Sequence, residues 1–539
     1  MTATAQTSAS SGTPLFTSYQ VREIEGAHPQ FDLMRRAGKA AAEFLAARTT
    51  PESRIVLFAG PGNNGGDALA CAAELAVVGY APVVVLLGDP EKFGEDAARS
   101  WRRVAELQSL TNTGGLAPSP RAGEGWGEGD VDVGNTLASA SHPTPPPSPL
   151  PQGARGRIFV ARTIPPPISA DWVIDGLFGI GLKRPLDGVY GDAVQAIASA
   201  RENGAQVLAL DVPSGVDADT GATLGDAVVS ADFTLTFIAN KPGLTTGPAL
   251  DYVGELHCAT LDLPWPASGV GHILDATYLR SAGKNPHANA HKGSNGTCVI
   301  LGGANGTLGA VLLAGRAAIR TGAGKVKVGW LAEPHPQVDT LMPEVMMGGA
   351  SELVNGECHA LVVGCGLGVS GPAVRLLRSA LGRDVPMVIE ADALNLIAQS
   401  AELATLVQRR KAPTIFTPHP AEAARLLGCS TSDVQRDRLK AARDLAKGYH
   451  CIAVLKGAGT VVCDGPTSTV NGTGNPLLAT AGTGDVLAGM IGALLAQSVD
   501  AAMAARLGVC MHGAAADLMR ARGVKRAVAS DIIAELPFL

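Results

Sequence analysis

The sequence predicts an α/β protein of two domains, each built on a largely parallel β-sheet. Three observations predict it. At 539 residues the chain exceeds what one ordinary core organises. Hydrophobic residues make up 46% of it and aromatics only 4%, so Ala, Gly and Val must supply the close packing of helices on sheets. Strand-like apolar runs also alternate with helix-like segments along most of its length.

From residue 19 to 263 the strand candidates are 54–59, 82–87, 172–175, 206–211 and 232–238, with helices after several of them, such as 68–78. The rhythm breaks at about 111–157. Gly-Glu-Gly-Trp-Gly-Glu-Gly (123–129) and the proline cluster at 143–149 offer little apolar surface to bury, and a disordered insert is expected there. A linker at about 264–286 leads to a second unit, so the division falls at 1–265 and 266–539. The second unit's strand candidates are 297–301, 325–330, 360–363, 387–389, 414–417 and 452–455. A hairpin at 460–464 and 468–471 comes next, then a helix from Gly484 and a last helix at 507–519.

The composition narrows the function. A net charge of −6 gives no electrostatic case for nucleic acid. The nine cysteines are scattered without a CxxC pair, and read as buried thiols in a reducing compartment. Residues 1–15 hold no Lys or Arg and no apolar core of a signal peptide, and no apolar run reaches the roughly 18–20 residues of a membrane span. The expectation is a cytoplasmic protein, without membrane or nucleic-acid partners, acting on a small molecule. A homo-oligomer is expected, as for many cleft-rich α/β enzymes.

In the first half, strand 54–59 runs into Gly60-Pro61-Gly62-Asn63-Asn64-Gly65-Gly66-Asp67 and then a helix. Strand, glycine-rich turn and helix build a phosphate site at the carboxyl edge of a sheet. The turn is not GxGxxG, and Asn-Gly-Gly alone is an ordinary tight turn. Two Asn and an Asp go beyond that, supplying hard oxygen donors for a cation. Two further strand ends are polar: Asp175-Gly176-Leu177-Phe178-Gly179-Ile180-Gly181-Leu182-Lys183-Arg184-Pro185 and Asp211-Val212-Pro213-Ser214-Gly215-Val216-Asp217. In an open sheet these ends converge on one crevice. There Asn64, Asp175 and Ser214 can share a cation, and Lys183 and Asp211 can serve as acid and base.

These three motifs, in this order, resemble the NAD(P)H-hydrate epimerase family across residues 19–263 apart from the insert. The resemblance implies a Rossmann-like doubly wound domain and hydrated NADH or NADPH as substrate. By it, Asn63, Asn64, Gly65, Gly66, Asp67, Gly179, Ile180, Gly181, Leu182, Lys183, Arg184, Pro185 and Asp211 contact the hydrate. Potassium is implied on Asn64, Asp175 and Ser214, and Lys183 and Asp211 are implied to assist epimerisation at C6 of the ring. Ala68 stands where the family usually has Gly.

In the second half nearly every strand ends in polar or glycine-rich residues. His291-Lys292-Gly293-Ser294-Asn295-Gly296 leads into strand 297–301, and the strand ends are the loop Gly302 to Ala310, Gly364-Cys365-Gly366-Leu367-Gly368, Asp392-Ala393-Leu394-Asn395, Thr417-Pro418-His419-Pro420 and Lys456-Gly457-Ala458-Gly459-Thr460. The chain then reads Gly482-Thr483-Gly484-Asp485 before the apolar run 486–496. Alone, that tetrapeptide is a helix cap. At the end of so many polar strand ends it becomes an anion cradle, with backbone N–H groups and the helix dipole aimed at a phosphate. Asp485, at or just inside the N-cap, then stands beside a phosphoryl group as a base.

This half is similar to the ribokinase-like fold, and more narrowly to ADP-dependent NAD(P)H-hydrate dehydratases, over residues 277–539. The resemblance implies that Ala310, Gly368, His419 and Asp485 line the hydrate site. It implies that Lys456, Gly457, Ala458, Gly459, Thr460 and Gly484 hold ADP, with magnesium. Cys365 for Pro, Leu477-Leu478 for Gly-Met and Glu390 for Asp depart from the family. The alternative is a ribokinase-like small-molecule kinase fused to a non-catalytic nucleotide-binding domain.

Overall fold

The strands of the first half lie in the order Phe159–Ala161, Val83–Leu86, Ile55–Ala59, Trp172–Gly176, Gln206–Leu210, Phe233–Phe237, Glu255–Ala259. All six pairings are parallel. In this computed structural model residues 12–112, 156–165, 167–266, 269–282, 288–465 and 467–536 are described. Most of the expected insert, including both low-complexity stretches, lies outside them.

Both faces of this sheet are covered. Ile55, Leu57 and Ala59 face one apolar cluster, while Val56 and Phe58 face another. That alternation with burial on both sides is the signature of a doubly wound parallel sheet, and it explains why its central strands read as continuous apolar runs.

The second half forms a sheet of eleven strands. Its order is Thr13–Leu15, Gly271–Leu274, Ser468–Asn471, Val461–Cys463, Ile452–Leu455, Thr414–Phe416, Met387–Ile389, Ala360–Val363, Thr297–Gly302, Lys325–Trp330, Met346–Gly349. From Ile452–Leu455 to Met346–Gly349 every pairing is parallel. The hairpin is antiparallel. Val299 and Leu301 pack on one side, Cys298 and Ile300 on the other.

Strands Phe159–Ala161, Glu255–Ala259 and Met346–Gly349 were not expected, and two features where the halves meet also differ from the sequence expectation. The stretch read as a linker contributes a strand, Gly271–Leu274, and a helix, Ala276–Ala282. The first described strand, Thr13–Leu15, pairs antiparallel with Gly271–Leu274 and so belongs to the second sheet. Leu15 also bridges Asn240, and Phe16 N–H donates to the Asn240 carbonyl at 3.0 Å. The chain's beginning thus ties the two halves together. Neither strand carries a local signal, because each is three or four residues long and is held by partners far away in sequence.

A second tie is centred on Arg438, a fully buried arginine. Its guanidinium donates to Thr246 Oγ1 (2.9 Å), Gln435 Oε1 (2.7 Å), the Leu455 carbonyl (3.2 Å) and the Lys456 carbonyl (3.1 Å). Thr246 Oγ1 in turn donates to the Gly459 carbonyl at 2.6 Å, and Gly247 N–H to the Ala458 carbonyl at 3.1 Å. A loop of the first half thereby holds the segment 456–460 of the second. Replacing Arg438 by Met leaves those buried carbonyls without donors. The expected loss is about 2–3 kcal/mol, read as a lowered urea midpoint.

Candidate active sites

The first site lies where strand Ile55–Ala59 meets helix Asn63–Val77. The helix begins five residues before the predicted 68, with Gly62 as N-cap, so Asn63 to Asp67 form its first turn. Gly65 and Gly66 pack inward. A Cβ at 65 would sit 2.0 Å from the Gly60 carbonyl oxygen, and one at 66 would sit 2.4 Å from Met34 Sδ. Their smallness lets the turn sit tightly on the sheet, and Asn63, Asn64 and Asp67 are the members that face the ligand space.

That space is a cavity of about 910 Å³. Asn64, Asp67, Gly179, Asp211 and Lys241 line it, together with Glu25 from the helix Ser18–Gly26. Ile180, Gly181 and Leu182 line it too, whereas Lys183, Arg184 and Pro185 are not among its walls. The exposed Lys183 ammonium is held by Asp217 Oδ2 at 3.1 Å. The cation at Asp211 is instead Lys241, whose Nζ lies 2.5 Å from Asp211 Oδ1. Lys241 lies beyond the predicted strand end at 238. The one signal past it was a lysine next to a proline, Lys241-Pro242, which looks like any turn.

Asn64, Asp175 and Ser214 are brought to the same strand ends. Asp175 is fully buried and accepts from Ser214 N–H (2.8 Å), Ser214 Oγ (2.7 Å) and Leu177 N–H (3.1 Å). Burial pushes its carboxyl up to about 6, against the pull of the Ser214 and Leu177 hydrogen bonds. Asn64 is buried, and neither its Oδ1 nor its Nδ2 finds a partner among the described residues. A buried amide left unpaired costs on the order of 1–3 kcal/mol, so this position calls for a ligand. An amide oxygen, a hydroxyl and a single carboxylate are donors that suit a hard cation. Among the described residues no cluster of three or more His, Cys, Asp or Glu is arranged to hold a metal ion.

The second site gathers around the cradle. Helix Thr483–Ala496 starts one residue before the predicted Gly484, and its N-cap is Gly482 at φ +88°, a conformation that favours glycine. No side chain caps it, so the first-turn N–H groups are left for an anion. Asp485 is the third residue of the helix and acidic at its positive end.

The floor of the cradle is a buried ion pair. Lys456 Nζ donates to Glu390 Oε1 at 2.6 Å, and Thr417 Oγ1 donates to Glu390 Oε2. A Cβ at 484 would fall 2.9 Å from Glu390 Oε1 and 3.1 Å from Lys456 Nζ, so Gly484 lets the helix end approach the pair. Burial acts to lower the Lys456 ammonium, but the carboxylates of Glu390, Glu422 and Asp485 outweigh it and keep it charged. Burial, then the neighbouring Glu390 charge, raises Asp485 to about 6. The Cys365 thiol hydrogen-bonds Asp485, and burial first and Asp485 second hold that thiol well above its ordinary range. It stays protonated.

Three other predicted residues lie on neighbouring elements. Gly368, at φ +71°, donates its N–H to Asp392 Oδ2 at 2.8 Å. Ala310 lies in the first turn of helix Leu308–Arg320, which packs closely on the cradle helix: a Cβ at Gly489 would sit 2.1 Å from the Ala314 carbonyl oxygen. His419 caps helix Pro420–Leu427, its Nδ1 accepting from Ala421 N–H at 3.1 Å. Burial, then Lys456 and Arg425, lowers its ionisation, favouring the neutral ring. His512 stands in no motif and was not expected at the site. It is buried on helix Ala501–Ala521, with its Nε2 unpartnered among the described residues. Burial and Lys456 lower it to about 4, so it too is neutral.

Residues 298–537 match the family model described as NAD(P)H-hydrate dehydratase, and residues 30–243 the model described as YjeF-related protein N-terminus. The chain is 35% identical over 517 residues to the bifunctional NAD(P)H-hydrate repair enzyme Nnr of Escherichia coli (strain K12), covering 94% of this chain and 88% of that one. It is 36% identical over 544 residues to the corresponding enzyme of Coxiella burnetii, covering 98% and 99%. The chain belongs to the bifunctional NAD(P)H-hydrate repair enzyme family. Among solved structures, an ADP/ATP-dependent NAD(P)H-hydrate dehydratase from Bacillus subtilis, co-crystallized with ATP/Mg2+, is 30% identical and covers 48% of this chain and 94% of that one, with a TM-score of 0.44. Membership accounts for two sites on one chain, and the fold class is the one predicted: a doubly wound α/β domain followed by a ribokinase-like α/β domain. Among the described residues no helix is long and apolar enough to cross a membrane.

Proposed function

We propose that residues 1–265 interconvert the R and S hydrates of NADH and NADPH, and that residues 266–539 dehydrate the S hydrate at the expense of ADP. The observation that carries the second assignment is Asp485, a carboxylate raised to about 6 at the mouth of a glycine-capped helix whose first-turn N–H groups take no side-chain cap among the described residues. Hydroxide is a poor leaving group. Asp485 takes the C6 hydroxyl proton as that oxygen attacks the β-phosphorus of ADP and AMP leaves. The amides of Thr483, Gly484 and Asp485, with Lys456, meet the developing charge. The ring nitrogen's electron pair then expels phosphate from C6, and loss of a C5 proton restores the dihydronicotinamide. The net products are NAD(P)H, AMP and phosphate.

Lys456, Gly457, Ala458, Gly459, Thr460 and Gly484 are assigned to ADP, and Ala310, Gly368, His419 and Asp485 to the hydrate. In the first half Asn63, Asn64, Asp67, Gly179, Ile180, Gly181, Leu182 and Asp211 meet the hydrate. Asn64, Asp175 and Ser214 would hold potassium, whose charge would satisfy the Asn64 amide oxygen and steady the phosphate-facing turn. The described residues offer magnesium no carboxylate cage of their own; it would arrive on the phosphates of the nucleotide. The proposed setting is a cytoplasmic homo-oligomer with small-molecule partners.

Hydrated NADPH supplied with ADP or with ATP tests this reading. Return of the reduced-ring absorbance with ADP, together with release of AMP and phosphate, is expected. A small alcohol phosphorylated from ATP, with no return of absorbance under ADP, would establish the kinase alternative instead.

A further inference from the structure

Lys241 is completely buried, and all three of its ammonium protons have acceptors: Asp211 Oδ1 at 2.5 Å, Thr236 Oγ1 at 2.8 Å and the Phe237 carbonyl at 2.7 Å. An ammonium is kept out of water only where it is paired, and this one is paired to the carboxylate at the end of the strand that points into the cavity. Asp211 itself sits at φ +62°, a left-handed conformation that a non-glycine residue seldom adopts, so its carboxylate is held in place by its surroundings.

The two carboxylate oxygens have different surroundings. Oδ1 takes Lys241, Thr236 Oγ1 (3.2 Å) and Phe237 N–H (3.3 Å). Oδ2 has no hydrogen bond from the described residues. It lies 3.1 Å from where a Cβ on Gly179 would be, and Asn64 Oδ1 lies 3.5 Å from the same point. Oδ2 therefore faces the gap between the Gly179 loop and the Asn64 turn, in the wall of the cavity. Glu25 and Asp67 face the same space, and burial, then the charge of Asp211, pushes both toward the protonated form. Lys241 is the buried cation among these three acids.

Resting on the epimerase reading above, we propose that Lys241 is a positioning residue of that site: it occupies Asp211 Oδ1 and leaves Oδ2 as the oxygen that exchanges the proton of the substrate's C6 hydroxyl. Asp211 Oδ2 takes that proton as the C6–N1 bond opens. C6 becomes an aldehyde carbon, and the electron pair left on N1 spreads into the conjugated carboxamide. After rotation, N1 closes on the other face and Asp211 returns the proton, so atoms and electrons balance without a co-reactant.

The test uses the full chain, with each variant's ADP-dependent rate on the S hydrate as the reference for a folded protein. Lys241→Met is expected to lower kcat for R-hydrate epimerisation by about 100-fold relative to that reference, with KM changed by less than about threefold. Methylammonium is expected to restore at least about tenfold of the loss in Lys241→Ala. Wild-type epimerisation by Lys241→Met overturns the proposal. So does an equal loss of both activities, or a loss in Lys241→Ala that methylammonium leaves unchanged. Asp211→Asn separates this from the reading beneath it: full epimerisation by that variant would remove the epimerase assignment of Asp211 itself.

Discussion

Asp485→Asn is expected to lower ADP-dependent return of the reduced ring by about 10³-fold while nucleotide binding stays close to that of the native chain. The substitution keeps the side chain's size and its place in the first helical turn, and it leaves the cradle amides and the Lys456–Glu390 pair untouched. It removes the carboxylate's charge and with it the ability to take a proton, while Glu390 and Glu422 still face Lys456. Stopped turnover with retained ADP affinity, measured by titration calorimetry, is the expected split. Unchanged turnover would remove Asp485 as the base. The native chain carries a matching pH signature. The Asp485 carboxyl is raised to about 6, so it is ionised above that pH and protonated below it. The S-hydrate rate should therefore rise through about pH 6 and fall about tenfold for each unit below it, and Asp485→Asn should lack that limb.

The central strands of both sheets were legible because each is buried on two faces and so appears as an unbroken apolar run, as in Ile55–Ala59 and Ala360–Val363. Thr13–Leu15, Gly271–Leu274 and Phe159–Ala161 were not, since strands of three or four residues take their identity from a distant partner. The sites divide in the same way. Whatever lies in one turn could be read: the glycine cap before Asp485, the Asn63–Asp67 turn, and the Asp175 and Asp211 strand ends. Pairings made by side chains outside those motifs could not. Glu390 was visible only as a departure from Asp, with nothing to show that it pairs with Lys456, sixty-six residues away. Lys183 was the obvious lysine because it sits inside a motif. Lys241 is the one that reaches Asp211, because strand Phe233–Phe237 lies beside Gln206–Leu210 and carries it there.

Asp211→Ala is expected to divide the repair of racemic hydrate into two phases. The S hydrate should be consumed at the native rate, since residues 390, 456 and 485 are untouched. The R hydrate should then follow only as fast as it epimerises spontaneously. General-base catalysis contributes about 10²–10⁴-fold, so the second phase should slow by at least about 100-fold. Removing the carboxylate also leaves the Lys241 ammonium buried beside Thr236 Oγ1 and the Phe237 carbonyl without its anion. A charge stranded in this way costs about 3–5 kcal/mol, so a lowered unfolding midpoint is expected alongside the lost activity. Asp211→Asn keeps an acceptor oxygen for Lys241 and should recover part of that stability without recovering epimerisation. The two variants together separate the hydrogen bond that holds the lysine from the carboxylate that moves the proton. Single-phase repair of racemic hydrate at the native rate by Asp211→Asn would show that another group carries the proton.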